Sequence, residues 1–208
     1  LAADGRRIAG PGYDAKTRLL VDAPGKWPDL PDQPSRDDAV AARARLEHLL
    51  RNFPFKSAAD CAVALSMFMT ALQRPLLPAA PGHAVNAPAA GTGKSLLIDT
   101  ACILATGAPS PVLDYGRDAD EAAKRLDGSL LAGDPMICLD NIEAPVEGTV
   151  LCQMLTQTSR RIRPLGSSTM ATVPCVAMIT FNGNNLVLRG DIVRRVLVCR
   201  LDAQCEQP

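Results

Sequence analysis

The sequence predicts an α/β fold: a parallel central sheet flanked by helices on both faces, preceded by a helical pair. In the second half of the chain, short apolar runs alternate with helical patterns, as expected for strands joined by crossover helices. The runs are continuously apolar, which indicates strands buried on both faces. With 208 residues, 47% of them hydrophobic, the chain is long enough to form such a core.

The chain is expected to fall into three segments. Residues 1–34 are rich in Pro, Gly and Asp and predict an extended arm. Residues 35–75 predict two helices that start at Ser35 and Ser57, since each serine precedes an apolar pattern of helical spacing. Residues 76–208 predict the α/β core, and we expect this core to form one compact unit with the helical segment.

The core is predicted to alternate strands and helices along the chain. Strands are expected at 83–87, 111–114, 135–140, 161–165, 175–181 and 196–201, and helices at 93–106, 119–131 and 148–158.

Charge is balanced overall but unevenly distributed. The 22 basic residues match 22 acidic ones, which excludes a globally basic nucleic-acid coat. Residues 111–143 hold eight acidic and three basic side chains, whereas residues 160–202 hold seven arginines and two aspartates. Arginine without lysine suits planar recognition of phosphate or carboxylate. A solvated basic face is the alternative interpretation.

The seven cysteines indicate the compartment. Their number is odd, no C-x-x-C occurs, and most lie in apolar runs, so buried free thiols in a reducing cytoplasm are expected instead of disulfides or a zinc site. No apolar run reaches membrane-spanning length and no signal peptide is visible, so we expect no membrane partner. The chain begins at Leu1, and we expect it to be a piece of a longer protein.

The strongest motif is Pro88–Ser95, Pro-Ala-Ala-Gly-Thr-Gly-Lys-Ser. It matches the phosphate-binding P-loop pattern G-x-x-x-x-G-K-[ST], except that proline replaces the first glycine, and it lies between a predicted strand and helix. Gly91 and Gly93 let backbone N–H groups face phosphate oxygens. Lys94 is expected on the β and γ phosphates of ATP and the Ser95 hydroxyl on Mg²⁺. A glycine-rich turn with an exposed lysine is the alternative. The predicted nucleotide-binding residues are Ala89, Ala90, Gly91, Thr92, Gly93, Lys94 and Ser95.

A second motif is the apolar run Met136–Asp140, followed by Asn141. An aspartate that ends a buried strand is placed to hold Mg²⁺ through its water shell, so Asp140 is the predicted second metal-site residue; a capping aspartate is the alternative. The next position often carries a glutamate that activates water. Asn141 can orient a water but cannot take its proton, and Glu143 is the available substitute. The rate of ATP hydrolysis is therefore open.

Clustered amides end a third apolar run, at Asn182, Asn184 and Asn185. The carboxyl ends of parallel strands face the ligand crevice, so an amide there is placed to bind the γ-phosphate or the attacking water. Asn182 is the first choice for this role and Asn184 the second. Asn-Gly is also a strong turn dipeptide, so a simple turn is an equal alternative.

Two groups of arginines complete the candidate residues. Arg194 and Arg195 precede the last strand and are placed to reach the γ-phosphate in a neighbouring subunit, or else they form a solvated surface. Arg161 and Arg163 belong to a predicted basic hairpin, where they suit DNA phosphates. Because aromatics are nearly absent nearby, base stacking is not expected. A charged, protected sheet edge explains the hairpin equally well.

The order of these motifs over residues 83–201 resembles the ATPase domain of AAA+ and superfamily 3 helicases. It is most similar to the helicase half of primase–helicases from phages, plasmids and integrated elements. The stretches that carry the resemblance are Gly12-Tyr13-Asp14, Asn86-Ala87-Pro88, Gly91-Thr92-Gly93-Lys94-Ser95, Leu139-Asp140-Asn141, Arg163-Pro164-Leu165-Gly166, Asn182-Gly183-Asn184-Asn185 and Asp191-Ile192-Val193-Arg194-Arg195.

This resemblance implies a P-loop NTPase fold of the ASCE/AAA+ type. It implies a hexameric homo-oligomer with ATP at subunit interfaces and single-stranded or forked DNA in the channel. Residue by residue it implies Walker A roles for Lys94 and Ser95, a Walker B role for Asp140, a sensor role for Asn182, an arginine finger at Arg194 or Arg195, and hairpin contacts from Arg161 and Arg163. Pro88 and Asn141 depart from the commonest patterns.

Three functional readings remain open. The first is an ATP-driven DNA motor for replication of a mobile element. The second is a nucleotide switch or loader platform that binds ATP and hardly hydrolyses it, which Asn141 favours. The third is a P-loop kinase, which would require a lid and an acceptor pocket. The sequence shows no arginine-rich lid, and the sensor and arginine pattern argues against this function.

Overall fold

The computed structural model describes residues 6, 8, 11–22, 31, 33–116, 118–142 and 144–204. The chain divides into two compact units, Leu1–Leu46 and Glu47–Pro208.

The first unit contains a short antiparallel hairpin within the predicted arm. Its strands are β1 (Gly12–Asp14) and β2 (Leu19–Val21). The Asp14 carboxylate accepts hydrogen bonds from both terminal nitrogens of Arg6 and from the Thr17 amide, which hold the pKa of this carboxyl far below its usual range. This hairpin was not predicted from the sequence, because three-residue strands are too short to show a periodic pattern.

Helix α1 (Arg36–Leu50) begins where the sequence predicts. Ser35 Oγ accepts a hydrogen bond from the Asp38 amide at 3.1 Å, and the Asp38 carboxylate accepts one from the Ser35 amide at 2.8 Å. This reciprocal capping box satisfies N–H groups that have no partner within the helix. The predicted start is therefore confirmed.

Helix α2 (Ala58–Gln73) is the first element wholly inside the second unit. Ser57 caps it by accepting a hydrogen bond from the Asp60 amide, as predicted. Asp60 is itself buried, and its carboxylate accepts a hydrogen bond from the Arg200 amide at 2.8 Å. This contact fixes the beginning of α2 to the last strand of the sheet.

The core of the second unit is a five-stranded, fully parallel sheet flanked by helices. The sheet strands are β3 (Gly82–Ala87), β4 (Val112–Asp114), β5 (Met136–Asp140), β8 (Met178–Asn184) and β9 (Val196–Arg200). Helix α3 (Lys94–Thr106) follows β3, α4 (Ala119–Ala132) follows β4, and α5 (Thr149–Thr156) follows β5. Two further strands, β6 (Ser159–Ile162) and β7 (Ala171–Pro174), lie between α5 and β8. In space the order is β4-β5-β8-β3-β9. The α/β class and the parallel, helix-covered sheet predicted from the sequence are thus confirmed.

The two faces of the sheet are covered by different helices. Helices α4 and α5 form an apolar core cluster together with alternate residues of the central strands, among them Leu139 and Phe181. The other face packs against α3, which contacts β3 and β8 and in turn packs on α2. The even-numbered residues of β5 and β8 therefore point their side chains towards α3, because successive strand residues alternate between the two faces of the sheet.

A separate two-stranded hairpin, β6 (Ser159–Ile162) with β7 (Ala171–Pro174), precedes β8. The predicted strand at 161–165 is wrong in its second half, because Pro164 and the left-handed Gly166 (φ 76°) lie in the loop that joins the two strands. The strand predicted at 175–181 is displaced by three residues, since β8 runs over Met178–Asn184. Asn182 and Asn184 consequently lie in the strand and not in a turn after it.

No helix in the described part of the chain is long and apolar enough to cross a membrane. The six cysteines that the structure describes, Cys61, Cys102, Cys138, Cys152, Cys175 and Cys199, are free thiols. Cys205 lies outside the described residues.

Candidate active site

A glycine loop, defined here as residues 88–93, connects β3 to α3. Gly91 (φ 79°) and Gly93 (φ 85°) adopt left-handed conformations that side-chain-bearing residues disfavour. Gly93 is also the N-cap of α3 and supplies no side-chain hydrogen bond to the first turn. The helix therefore presents uncapped N–H groups and partial positive charge towards the loop, an arrangement that attracts anions.

Lys94 turns back over the glycine loop. Its Nζ donates hydrogen bonds to the carbonyl oxygen of Ala89 at 3.1 Å and to Oδ1 of Asn184 at 2.7 Å. Partial burial lowers the pKa of Lys94, and the nearby negative charge of Asp140 opposes that shift. The ammonium group thus lies among the glycine loop, the end of β8 and the end of β5, which the strand order brings together.

The two amides of β8 contact two different residues of α3. Asn182 Nδ2 donates to Ser95 Oγ at 2.9 Å, whereas Asn184 accepts from Lys94. Asn182 is 3% exposed, and Asn184 is exposed at the end of the strand. Both candidates for the amide role predicted from sequence therefore lie in the site, on the sheet face that α3 covers.

Gly183, between these amides, allows close packing behind the strand. A Cβ there would lie 2.5 Å from Leu186 Cδ2 and 3.1 Å from the Ile142 carbonyl oxygen. The absence of a side chain lets the segment after β5 approach β8, where the Ile142 amide donates to the Asn182 carbonyl at 3.4 Å. This contact ties the end of β5 to the strand that carries the amides.

Asp140 ends β5, and Asn141 begins the turn after it. Asn141 has a φ of 51°, and its amide donates to Asp140 Oδ1 at 2.7 Å. Asparagine enters this left-handed conformation more readily than glutamate does. The departure from the pattern with glutamate at this position therefore has a local structural reason. Glu143, the predicted substitute, lies outside the described residues.

Three side chains of the site fit a hydrated Mg²⁺ ion. Ser95 Oγ and the Asp140 carboxylate are hard oxygen ligands of the kind that this ion prefers, directly or through water. Asn182 Oδ1 is buried and has no hydrogen-bond partner among the described residues. An unsatisfied buried acceptor costs about 1–3 kcal/mol, so a donor supplied by a bound species would be favourable. The described residues contain no group of three or more His, Cys, Asp or Glu that could hold a metal.

Arg194 and Arg195 lie away from the glycine loop of their own chain. Arg194 ends a 3₁₀ turn, Gly190–Arg194, and Arg195 follows it just before β9. The Arg195 carbonyl accepts a hydrogen bond from the amide of Gly82 at the start of β3. The glycine loop follows the other end of β3, about 17 Å along the strand. Both guanidinium groups donate to the carboxylate of Asp191. The pair therefore lies at the opposite end of β3 from the glycine loop of its own chain.

The hairpin arginines have distinct environments. Arg160 donates to the Asp127 carboxylate of α4 and to Gln153 of α5, which anchors the base of the hairpin. The Arg161 side chain is exposed and makes no hydrogen bond or ion pair within the described part of the chain. Arg163 is exposed in the loop, and its Nε donates to the Ser167 carbonyl at 2.7 Å.

One neighbour of the glycine loop, an aromatic side chain, was not predicted from the sequence. The Phe53 ring lies beside Gly93, where an added Cβ would come within 3.4 Å of it, and it pairs with the Phe55 ring at a centroid distance of 6.0 Å. The pair is held by the end of β9, since the Lys56 amide donates to the Arg200 carbonyl. The closely spaced phenylalanines, in a chain with only four, were the available signal.

Comparisons with known proteins found no family model that matches the chain, and no curated protein matches it.

Proposed function

We propose that the second unit is an ATP-binding P-loop domain of the ASCE/AAA+ type. The observation that carries the proposal is Lys94, which contacts both the glycine loop and the Asn184 amide, with the negative charge of Asp140 nearby. The strand order supports the proposal as well, because the amide-bearing β8 lies between β3, which leads into the loop, and β5, which ends at Asp140. In this order Lys94, Asn184 and Asp140 all lie at the carboxyl ends of the strands.

In this proposal the chain's residues act mainly by holding and orienting the triphosphate. Lys94 exchanges its contact with Asn184 for phosphate oxygens, and the uncapped amides of α3 bind the same anion. Ser95 and Asp140 hold Mg²⁺, which neutralises phosphate charge when it is bound. Asn184, released by Lys94, is then available to bind the terminal phosphate or the attacking water.

We further infer that the domain is the motor of a cytoplasmic DNA replication helicase from a mobile element, working as a ring of identical chains. The position of Arg194 and Arg195 supports this idea, because they lie at the amino-terminal ends of β9 and β3, far from the glycine loop of their own chain. From there they would contact the γ-phosphate bound by a neighbouring subunit. The exposed Arg161 and Arg163 on the hairpin would contact DNA phosphates.

A specific observation favours a second candidate function, a nucleotide switch or loader platform. Asn141 occupies the position of the water-activating carboxylate, and its left-handed backbone (φ 51°) suits asparagine. A domain without a base at that position would bind ATP and hydrolyse it slowly. A small-molecule kinase is less well supported, because no feature of the described residues favours it over the other two.

The test is ATP turnover with and without single-stranded DNA, on the wild type, Lys94→Ala and Asn141→Glu, at high protein concentration. Lys124→Ala, which removes an exposed lysine of α4, is the matched control. DNA-stimulated turnover that disappears only in Lys94→Ala supports the motor. ATP binding without turnover in the wild type supports the switch and contradicts the motor.

A further inference from the structure

Two asparagines two residues apart on β8 would usually be treated as alternatives for one role. Their contacts differ in chemistry, however. Asn184 accepts a hydrogen bond from the cationic Lys94, whereas Asn182 donates one to the Ser95 hydroxyl. Asn184 is exposed at the strand end, and Asn182 is nine-tenths buried below it. The contacts therefore pair Asn184 with Lys94, the proposed phosphate ligand, and Asn182 with Ser95, the proposed metal ligand.

The unpartnered Oδ1 of Asn182 indicates what kind of species would satisfy it. This buried atom accepts hydrogen bonds and donates none, so its missing partner must be a donor. Phosphate oxygens and the carboxylate of Asp140 are acceptors when ionised and cannot fill the role. A water molecule bound to a divalent cation directs both hydrogens outward and fits it. Mg²⁺ usually retains several such waters.

We propose that Asn182 is a positioning residue for the metal, and that Asn184 alone serves the phosphate. Asn182 orients the Ser95 hydroxyl with its amide nitrogen and binds a water of the Mg²⁺ shell with its amide oxygen. This inference rests on the proposed nucleotide-binding function. It changes the sequence-based preference, because the γ-phosphate role predicted first for Asn182 passes to Asn184.

The test separates metal coupling from nucleotide affinity. The dissociation constant of a fluorescent ADP analogue is measured in excess EDTA and in saturating Mg²⁺, and the ratio of the two constants reports how strongly the metal contributes. Asn182→Leu removes both polar contacts and keeps the number and branching of the side-chain heavy atoms. Asn182→Asp keeps two acceptor oxygens. Asn184→Leu is the matched control on the same strand, and thermal unfolding reports folding of each variant.

Removal of a residue that supports a metal shell typically weakens metal binding by about 10–100-fold. We therefore expect Asn182→Leu to reduce the Mg²⁺ ratio by at least about tenfold while its affinity in EDTA is unchanged. Asn182→Asp should retain the ratio, and so should Asn184→Leu. A second readout is the electron paramagnetic resonance spectrum of Mn²⁺ with ADP, in which Asn182→Leu should leave more of the ion unbound.

The outcomes are distinguishable. If the wild type binds the ADP analogue with a clear Mg²⁺ effect and Asn182→Leu keeps that effect, the metal role of Asn182 is wrong although nucleotide binding stands. If the wild type binds no nucleotide in either condition, the proposed function fails and this inference fails with it. If Asn182→Leu does not fold, Asn182→Ser, which is too short to reach both partners, takes its place with the same expected loss.

Discussion

At the scale of single residues, the site depends on side chains whose charge or backbone conformation is set by their immediate neighbours. Lys94 and Ser95 were predicted from a motif whose spacing is fixed by phosphate geometry, and the structure shows them in contact with β8. The division between Asn182 and Asn184 could not be predicted, because it depends on which rotamer meets which residue of α3. The left-handed backbone conformation of Asn141 could not be predicted from the sequence pattern either.

Asn141→Glu should destabilise the fold. The φ of 51° is tolerated by asparagine but strained for glutamate, at a cost of roughly 1 kcal/mol. Asn141→Gly, the control, should be as stable as the wild type, since glycine adopts this conformation without strain. Chemical denaturation measures both. A glutamate variant as stable as the wild type would contradict the strain argument.

His83 should make stability sensitive to mild acid. Burial lowers its pKa from the usual 6.5 to about 4, so the native state stays neutral while the unfolded state takes up a proton. The stabilisation is complete above the unfolded pKa and is lost as pH falls towards the folded pKa. Between about pH 7 and pH 5 the loss should be about 2 kcal/mol.

Urea unfolding of the wild type and His83→Gln at the two pH values tests this prediction. Glutamine retains the capacity to hydrogen-bond Ser66, which contacts His83 Nε2 at 3.3 Å, but it does not titrate. The variant should lose clearly less stability than the wild type over that interval. Equal losses would assign the pH dependence to other groups.

At the scale of elements, helices were predicted more accurately than strands. Serine caps and terminal glycines fixed α2 and α3 closely, because capping is a local interaction that the sequence displays directly. The hairpin β6–β7 was predicted as a basic hairpin, but its strand limits were wrong. Those limits depend on cross-strand pairing such as Arg161 with Thr172, which no local pattern encodes.

Of the hairpin arginines, Arg160 should contribute to the stability of the fold and Arg161 to the binding of DNA. Arg160→Ala breaks a largely buried ion pair with Asp127 and should lower the free energy of unfolding by about 1–3 kcal/mol. Arg161→Ala should leave stability within about 0.5 kcal/mol of the wild type. It should weaken binding of single-stranded DNA and reduce the magnitude of the salt-dependence slope by about 0.7.

Thermal unfolding and a salt titration of DNA affinity measure the two effects. Lys124→Ala again controls for loss of an exposed cation. If Arg161→Ala leaves DNA affinity and salt slope unchanged, the hairpin does not contact DNA through this residue, and a charged, protected edge becomes the better account of it.

At the scale of the whole molecule, the spatial order of the strands determines which motifs meet. The sequence predicted alternating strands and helices, but not that β8 lies between β3 and β5, because hydrophobic pattern is the same for any order of buried strands. That order brings Lys94, Asp140 and Asn184 to one edge. It also leaves Arg194 and Arg195 at the opposite ends of the strands, from where we propose that they act on a neighbouring copy.

If Arg194 and Arg195 act on a nucleotide bound by a neighbouring subunit, mixing two inactive variants should restore ATP turnover. Lys94→Ala lacks the phosphate lysine, and a double variant, Arg194→Ala with Arg195→Ala, lacks the pair predicted to act on a neighbour. In an assembly formed from equal amounts, about a quarter of the interfaces would combine an intact glycine loop with an intact arginine pair. ATP turnover should therefore reappear on mixing. Turnover that stays absent would contradict action between subunits.

Isothermal titration calorimetry with ATP and Mg²⁺ measures whether Lys94 binds the phosphates of a nucleotide. The wild type and Lys124→Ala should bind about one ATP per chain with equal affinity. Lys94→Ala should bind about tenfold to a hundredfold more weakly, because it loses a charge-assisted hydrogen bond. Unchanged affinity in Lys94→Ala, or no binding by the folded wild type, would show that Lys94 does not bind a nucleotide phosphate.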